Sequence, residues 1–235
     1  MVTKKERKSY KNDKPDVERP EFRVAIRDCL LRHRETSTRA SSVGMTIVTT
    51  MQKIILGFVG DLAAGKGTIC KYLEENYATP NYRFSTMLRD MLNRIYVDKS
   101  RENLQQLSTF LRAQFGQDVM SRVIAEDVAR DTREIIAVEG VRRPTDITFL
   151  EKNPGWHLIY ITADQNMRFE RLVKRNENPG DDQKTFAQFL KDETSEADGM
   201  IKELGGKAEF IIENNGTLEE FYEAMEAVLK TIMSS

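Results

Sequence analysis

Five short apolar runs alternate along the chain with segments whose apolar residues return every three or four positions. The runs cover residues 54–59, 82–84, 135–138, 158–161 and 210–212, and runs of this length are typical of strands buried on both faces. The periodic segments predict helices over residues 86–96, 101–115, 118–130, 144–152, 165–175, 185–204 and 218–233. This order predicts an α/β fold with a doubly wound parallel five-stranded sheet, and a ligand crevice at the carboxyl ends of the strands.

Residues 1–50 differ from the rest of the chain in composition. They contain 12 Lys and Arg against 7 Asp and Glu, whereas all 235 residues contain 36 against 37. Their prolines, Ser/Thr-rich stretch and weak periodicity predict a basic, mostly disordered extension before a folded domain at residues 51–235. Three explanations remain open: a transit segment, which its acidic residues disfavour; a nucleic-acid-binding arm, which its mixed charge disfavours; and an upstream start codon, with the functional chain beginning at Met45 or Met51. We favour the start-codon explanation.

Composition limits the chemistry of the folded domain. No apolar segment reaches the length of a membrane span, so we expect no membrane partner. Cys29 and Cys70 cannot build a disulfide framework, and with only His33 and His157 the chain cannot assemble a His/Cys zinc site. These counts favour a cytoplasmic protein with phosphoryl rather than acyl chemistry.

The first apolar run ends in a glycine-rich turn that opens a helical segment. The turn consists of Gly60, Asp61, Leu62, Ala63, Ala64, Gly65, Lys66, Gly67 and Thr68. Small residues allow backbone N–H groups to surround phosphate oxygens, the helix N-terminus attracts an anion, and Lys66 adds a full positive charge. We therefore predict an ATP-binding phosphate loop rather than a turn without a ligand.

Gly67 stands where the strict phosphate-loop pattern has Ser or Thr, and Thr68 follows one position later. This Gly-Lys-Gly-Thr ending resembles the P-loop nucleoside monophosphate kinases, adenylate kinase above all. The resemblance implies a P-loop kinase fold that uses ATP and Mg²⁺. Because Gly67 has no hydroxyl, the task of holding Mg²⁺ shifts toward water, Thr68 and Glu139.

Glu139 ends the strand predicted at 135–138, beside the phosphate loop, and is our candidate Mg²⁺ ligand. The alternative is a plain exposed strand end. The run Glu139-Gly140-Val141-Arg142 resembles the Asp-Gly-x-x-Arg of many monophosphate kinases, with a longer acid. The resemblance implies that Arg142, or the adjacent Arg143, binds the acceptor phosphate.

The residues Ser85, Thr86, Leu88 and Arg89 match part of the adenylate kinase form Ser-Thr-Gly-Asp-x-Leu-Arg, where the acceptor nucleotide docks. The resemblance implies that Ser85 and Arg89 bind the acceptor, since a planar guanidinium suits a phosphate monoester. The alternative is that Ser85 or Thr86 only caps the following helix.

Three arginines, Arg168, Arg171 and Arg175, share one face of a predicted helix. Guanidinium groups on such a face suit the charge of a transferred phosphoryl group, and the segment resembles the Arg-Leu-x-x-Arg entry to a short adenylate kinase lid. We expect Arg171 and Arg175 to act in catalysis together with Lys66 and Arg142. We also expect Arg168 to bind substrate and the lid to cover about residues 176–190. The alternative is a solvated face with a Glu170–Lys174 pair.

Near the C-terminus, a strand and an Asn-Gly turn precede a capped helix, and Asn215 is our candidate for a contact with the adenine of ATP. An ordinary turn is the alternative. The run from Asn214 to Glu220 reads Asn-x-Gly-Thr-Leu-Glu-Glu and resembles dephospho-coenzyme A kinases and a family of uncharacterised adenylate-kinase-like proteins. The resemblance runs from about Lys53 to the C-terminus.

Together these motifs predict transfer of a phosphoryl group from Mg²⁺-bound ATP to a small phosphate-bearing acceptor, with a (deoxy)nucleoside monophosphate as first choice. Dephospho-coenzyme A kinase is the alternative enzyme, and Asp61 would be its carboxylate base unless Asp61 only stabilises the loop. A nucleotide-dependent switch or nucleic-acid adaptor, with residues 1–50 as its arm, is an alternative from another class that we weigh lower. We therefore do not expect nucleic acid as the partner.

Overall fold

The computed structural model describes residues 8–10, 53–175, 181–193 and 196–234, with only the backbone described at 8–10, at 101 and at 196–199. The strands are β1 (Lys8–Tyr10), β2 (Ile54–Gly60), β3 (Asn81–Arg83), β4 (Ile135–Glu139), β5 (Trp156–Thr162) and β6 (Phe210–Glu213). Every pair of neighbours is parallel, in the order β1-β6-β5-β2-β4-β3. The predicted parallel sheet of five strands is confirmed, and β1, from the predicted extension, lies beside β6 as a sixth.

Eight helices surround the sheet in the described part of the chain: α1 (Lys66–Tyr77), α2 (Phe84–Arg94), α3 (Arg101–Phe115), α4 (Val119–Arg130), α5 (Gln165–Arg175), α6 (Phe186–Glu193), α7 (Glu196–Lys207) and α8 (Leu218–Met233). Within the described residues, none of them is long and apolar enough to cross a membrane.

The sheet separates two hydrophobic clusters, because successive side chains of a strand point to opposite faces. On one face, Ile55 and Val59 pack with residues of α2, α3, α4 and α7. On the other face, Leu56 and Phe58 pack with residues of α1 and α8. Both faces of β2 are therefore covered, which explains its continuous apolar run, and its carboxyl end opens at the centre of the sheet.

Two predicted helices differ from the structure. The segment 144–152 forms two short 3₁₀ turns, Pro144–Asp146 and Leu150–Lys152, and the segment 185–204 is divided between α6 and α7. In the predicted lid, residues 176–180 lie outside the described residues, and a 3₁₀ turn at Asp181–Gln183 leads into α6. Apart from β1, the predicted extension at 1–50 also lies outside the described residues.

Candidate active site

The phosphate loop joins the end of β2 at Gly60 to the start of α1 at Lys66. A Cβ at Gly60 would lie 2.1 Å from the carbonyl oxygen of Ile161, so only glycine fits beside β5. Ala63 and Gly65 have positive φ angles of 59° and 114°. Such left-handed residues turn neighbouring N–H groups into a shared concavity, the arrangement that binds phosphate oxygens.

Asn214, which the sequence analysis places in a motif but not among the nucleotide contacts, holds this loop from the end of β6. Its side-chain Nδ2 donates to the Ala64 carbonyl oxygen at 2.9 Å, and a Cβ at Gly65 would lie 2.5 Å from the same nitrogen. The predicted nucleotide contact, Asn215, is exposed instead and exchanges hydrogen bonds with Asp164. Asn214 therefore touches the loop, and Asn215 joins the turn after β6 to the start of α5.

Lys66 lies at the centre of the charged groups. Its Nζ donates to the carbonyl oxygens of Gly60 and Asp61 at 2.7 and 2.8 Å. Burial lowers the pKa of Lys66 from 10.5 to about 8; the nearby carboxylate of Glu139 opposes this shift, and the guanidinium groups of Arg142 and Arg175 add to it. These groups from β4, the following corner and α5 are therefore all close enough to act on one ammonium group.

Asp61 is held by β5. Its carboxylate accepts hydrogen bonds from the Tyr160 hydroxyl, at 3.1 Å to each oxygen, and from Thr162 Oγ1 at 2.8 Å. Burial, reinforced by the Asp61 charge, raises the pKa of Tyr160 to about 12, so this hydroxyl stays a donor at neutral pH. These contacts, from two side-chain hydroxyls of β5, favour the interpretation in which Asp61 stabilises the loop.

Glu139 ends β4 and lies in register with Arg83 of β3. Its Oε2 contacts Arg83 Nε at 2.6 Å and accepts from Asn81 Nδ2 at 3.0 Å. The amide oxygen of Asn81 is buried and has no hydrogen-bond partner in the described part of the protein. The Glu139 carboxylate and the Asn81 amide oxygen therefore bring two oxygen atoms, the donor type that Mg²⁺ prefers, to the carboxyl edge of the sheet.

The corner after β4, residues 140–143, is held in place by a buried ion pair. Asp146 Oδ2 accepts the backbone N–H groups of Arg142 and Arg143, both at 3.0 Å. Its other oxygen, Oδ1, contacts Arg112 Nη2 at 2.6 Å, and both side chains are less than a tenth exposed. Both Arg142 and Arg143 have exposed side chains, so the corner presents two guanidinium groups on a rigid backbone. Arg112 and Asp146 are site-supporting residues that the sequence analysis missed.

The predicted acceptor residues of α2 lie on the protein surface. The helix begins at Phe84, and Arg83 is its N-cap, without a side-chain capping bond. The alternative in which Ser85 or Thr86 caps the helix is therefore wrong. Ser85, Thr86 and Arg89 are exposed, and Ser85 and Arg89 share a face because they are four residues apart.

The three arginines of α5 do not meet at one point. Arg168 is buried: Nε donates to the Ala163 carbonyl at 2.8 Å, and Nη1 donates to the Leu62 carbonyl at 3.3 Å and pairs with Glu193 of α6. Its guanidinium is thus used to hold the loop to α6, which argues against the predicted contact of Arg168 with substrate.

The other two arginines of α5 remain close to the loop. Arg171 Nη1 donates to the Asn214 carbonyl oxygen at 2.9 Å, and Arg175 lies near enough to lower the pKa of Lys66. Of the predicted face, Arg171 therefore contacts the residue that holds the phosphate loop, and Arg175 lies near Lys66.

Comparison with known proteins finds relatives that match most of this chain. It is 27% identical over 183 residues to a UPF0200 protein of Staphylothermus marinus, covering 78% of this chain and 95% of the relative. A UPF0200 protein of Pyrococcus horikoshii is 27% identical over 187 residues, covering 77% of this chain and 99% of the relative.

Solved structures share the fold at low sequence identity. Shikimate kinase from Bacteroides thetaiotaomicron superposes with a TM-score of 0.53 and 14% identity, over 75% of this chain and 98% of that one. The protein TT1252 from Thermus thermophilus gives a TM-score of 0.51 and 17% identity, over 77% and 98%. With these neighbours, the predicted P-loop kinase-like α/β fold is confirmed.

A family model described as an AAA domain matches residues 59–189, a range that includes the phosphate loop, Glu139, the Arg142 corner and α5. This range is more than half of the 235 residues. The chain therefore belongs to the AAA domain family.

Proposed function

We propose that this protein transfers the γ-phosphoryl group of Mg²⁺-bound ATP to a small phosphate-bearing acceptor, with (deoxy)nucleoside monophosphates as the first acceptor class. The observation that carries the proposal is the convergence of charge on Lys66. The charges of Glu139 at the end of β4, of Arg142 in the corner that follows and of Arg175 in α5 all act on its ammonium group. A Cβ on the next residue, Gly67, would lie 3.7 Å from Glu139 Oε1. A transferred phosphoryl group needs this kind of surrounding positive charge and one carboxylate for the metal.

Each residue then has a role set by its position. The loop from Gly60 to Thr68, which includes Lys66, binds the phosphates of ATP. Glu139 and Thr68 would hold Mg²⁺, which neutralises charge on the phosphates when bound. On the acceptor side, Ser85, Arg89 and Arg142 bind the acceptor, and Arg171 and Arg175 stabilise the phosphoryl group in transfer. Catalysis by these residues rests on positioning and charge.

The contacts of Asp61 favour a phosphate acceptor over a hydroxyl acceptor. A hydroxyl must lose a proton as it attacks, which requires a general base within reach. The Asp61 carboxylate already accepts hydrogen bonds from Tyr160 and Thr162 of β5, on the side of the loop away from β3 and β4. An acceptor that is already an anionic phosphate needs no such base.

An acceptor panel tests the proposal directly. The full-length protein is incubated with ATP, Mg²⁺ and one acceptor at a time: each nucleoside and deoxynucleoside monophosphate, dephospho-coenzyme A and shikimate. ADP formation and the phosphorylated product are measured by chromatography. We expect at least one monophosphate to stimulate ADP formation and to be converted to its diphosphate.

Two results would contradict this proposal. Conversion of dephospho-coenzyme A alone would assign a hydroxyl acceptor and a different base. Slow ATP hydrolysis that no acceptor stimulates, together with salt-sensitive binding to DNA or RNA, would favour the nucleotide-dependent switch.

A further inference from the structure

Arg83 contacts Glu139 in the candidate site, yet the roles proposed above do not include it. It is the last residue of β3 and pairs in register with Glu139, the last residue of β4. Neighbouring parallel strands are about 4.8 Å apart, so the register itself brings the two side chains together at the carboxyl edge of the sheet. The pair therefore follows from the fold and does not depend on a loop conformation.

The pair lies directly over the position where Gly67 replaces the usual Ser or Thr. A Cβ at Gly67 would lie 3.6 Å from Arg83 Nη2 and 3.7 Å from Glu139 Oε1, which are ordinary contact distances. The guanidinium and the second carboxylate oxygen thus both face the first turn of α1, where the phosphates of a nucleotide would bind.

The two partners differ in their freedom to move. The side chain of Glu139 is 15% exposed and also accepts from Asn81, whereas that of Arg83 is 44% exposed. A poorly solvated carboxylate needs a counter-charge or hydrogen bonds. Arg83 supplies that counter-charge, and because it is the more exposed of the two side chains, it is the partner that can leave.

We propose that Arg83 is an exchangeable counter-ion that links metal–nucleotide binding to acceptor binding. It neutralises Glu139 while the metal–nucleotide complex is absent. When Mg²⁺ bound to ATP supplies positive charge at Glu139, the Arg83 guanidinium is released to bind the acceptor phosphate beside Arg89 and Arg142. This role rests on the proposed function, since it assumes an anionic acceptor.

The exchange makes a prediction of opposite sign for the two ligands. Because Arg83 competes with the metal for Glu139, its removal strengthens binding of the metal–nucleotide complex. Because Arg83 also contributes to the acceptor site, its removal weakens binding of the acceptor to the loaded protein. A merely structural role for Arg83 would instead weaken both, since losing it would disorder Glu139.

The test uses calorimetric titration of the full-length protein with a non-hydrolysable ATP analogue and Mg²⁺, followed by titration of the acceptor that the panel identifies. We expect Arg83→Gln to bind the analogue with Mg²⁺ about fivefold more tightly and the acceptor about tenfold more weakly, within the usual range of coupling between sites. Arg83→Lys keeps the charge but not the planar guanidinium, so for each ligand its affinity should lie between those of the unaltered protein and Arg83→Gln.

Lys71→Gln is the matched control. Lys71 lies on the solvent face of α1, is 74% exposed and pairs with Glu75, so the variant removes one positive charge near the loop without touching Glu139. We expect it to bind both ligands as the unaltered protein does.

Weaker binding of the metal–nucleotide complex by Arg83→Gln, or unchanged acceptor affinity, would overturn the role of Arg83 and leave the proposed function standing. Failure of the unaltered protein to bind or phosphorylate any monophosphate would contradict the proposed function. The metal–nucleotide titration separates the two cases, because it requires no acceptor.

Discussion

Lys66 shows at the residue scale how burial prepares a charged group for its ligand. Two backbone carbonyls, of Gly60 and Asp61, hold its ammonium group, and burial lowers its pKa to about 8. The group is still largely charged at neutral pH, but it is poorly solvated. A phosphate beside it would supply the opposite charge that the carbonyls supply only in part.

We expect Lys66→Met to fold while losing phosphoryl transfer by about 10²- to 10³-fold, the usual effect of removing one group that stabilises charge in a transition state. Folding is checked by circular dichroism and transfer by ADP formation with the best acceptor of the panel. Full activity in this variant would refute the assignment of the phosphate loop.

The lowered pKa of Lys66 also predicts how stability and binding of an ATP analogue depend on pH. Between about pH 8 and pH 10.5 the unfolded chain holds this proton more often than the native protein, so the Lys66 contribution to stability becomes more favourable as pH rises through that window. Binding of an ATP analogue shows the opposite trend, because above pH 8 the free protein must first take up a proton. Lys66→Met should lack both trends.

At the element scale, three arginine–carboxylate pairs in the described part of the chain join segments that are distant in sequence: Arg83 with Glu139, Arg112 with Asp146, and Arg168 with Glu193. The Arg112 pair joins α3 to the 3₁₀ turn at Pro144–Asp146 and fixes the backbone of the Arg142 corner. Precise placement of an exposed arginine thus depends on a carboxylate buried beneath it.

We expect Arg112→Met to lower the free energy of unfolding by about 3–5 kcal/mol, because it leaves the Asp146 carboxylate buried without its partner. The change should also raise the KM for the acceptor, since the corner loses its support. Chemical denaturation and steady-state kinetics measure the two effects.

Arg130→Met serves as control for Arg112→Met. Arg130 forms a pair with Glu126 in which the two side chains are 79% and 65% exposed, and such surface pairs contribute between about 0 and 1 kcal/mol. Equal effects of the two substitutions would show that the buried pair does not support the corner.

The pattern of apolar and glycine positions predicts those parts of the structure that depend on neighbours in sequence. Apolar runs located the five strands, and the glycine spacing located the phosphate loop, since strand burial and tight turns are local properties. The segment 144–152 was predicted as a helix, but Asp146 instead accepts from the N–H groups of residues 142 and 143 and pairs with Arg112. Such partners lie far away in sequence, so periodicity does not reveal them. For the same reason, the sequence did not predict that Arg168 is buried or that Asn214, and not Asn215, contacts the phosphate loop.

At the scale of the whole molecule, ligands that bind only the native state should raise its melting temperature. At a concentration of 100 times its dissociation constant, a ligand adds about 2.7 kcal/mol, which corresponds to about 5–10 °C for a domain of this size. We expect such a shift with a non-hydrolysable ATP analogue and Mg²⁺, and a further shift when the correct monophosphate is added. Chelating the metal should remove most of both shifts, because Glu139 then pairs with Arg83 and no metal ion links the protein to the phosphates. A shift that is independent of the metal would contradict the role of Glu139 and Thr68.

The bridge from Arg168 to Glu193 also affects how the protein can change in evolution. It clamps α5 to α6, together with the packed rings of Phe169, Phe186 and Phe189. These contacts hold together the two helices that the connecting segment joins. Doubling the length of such a connection costs only about 0.6 kcal/mol in loop entropy. Insertions and deletions between Arg175 and Asp181 therefore cost little in loop entropy and need not displace the phosphate loop.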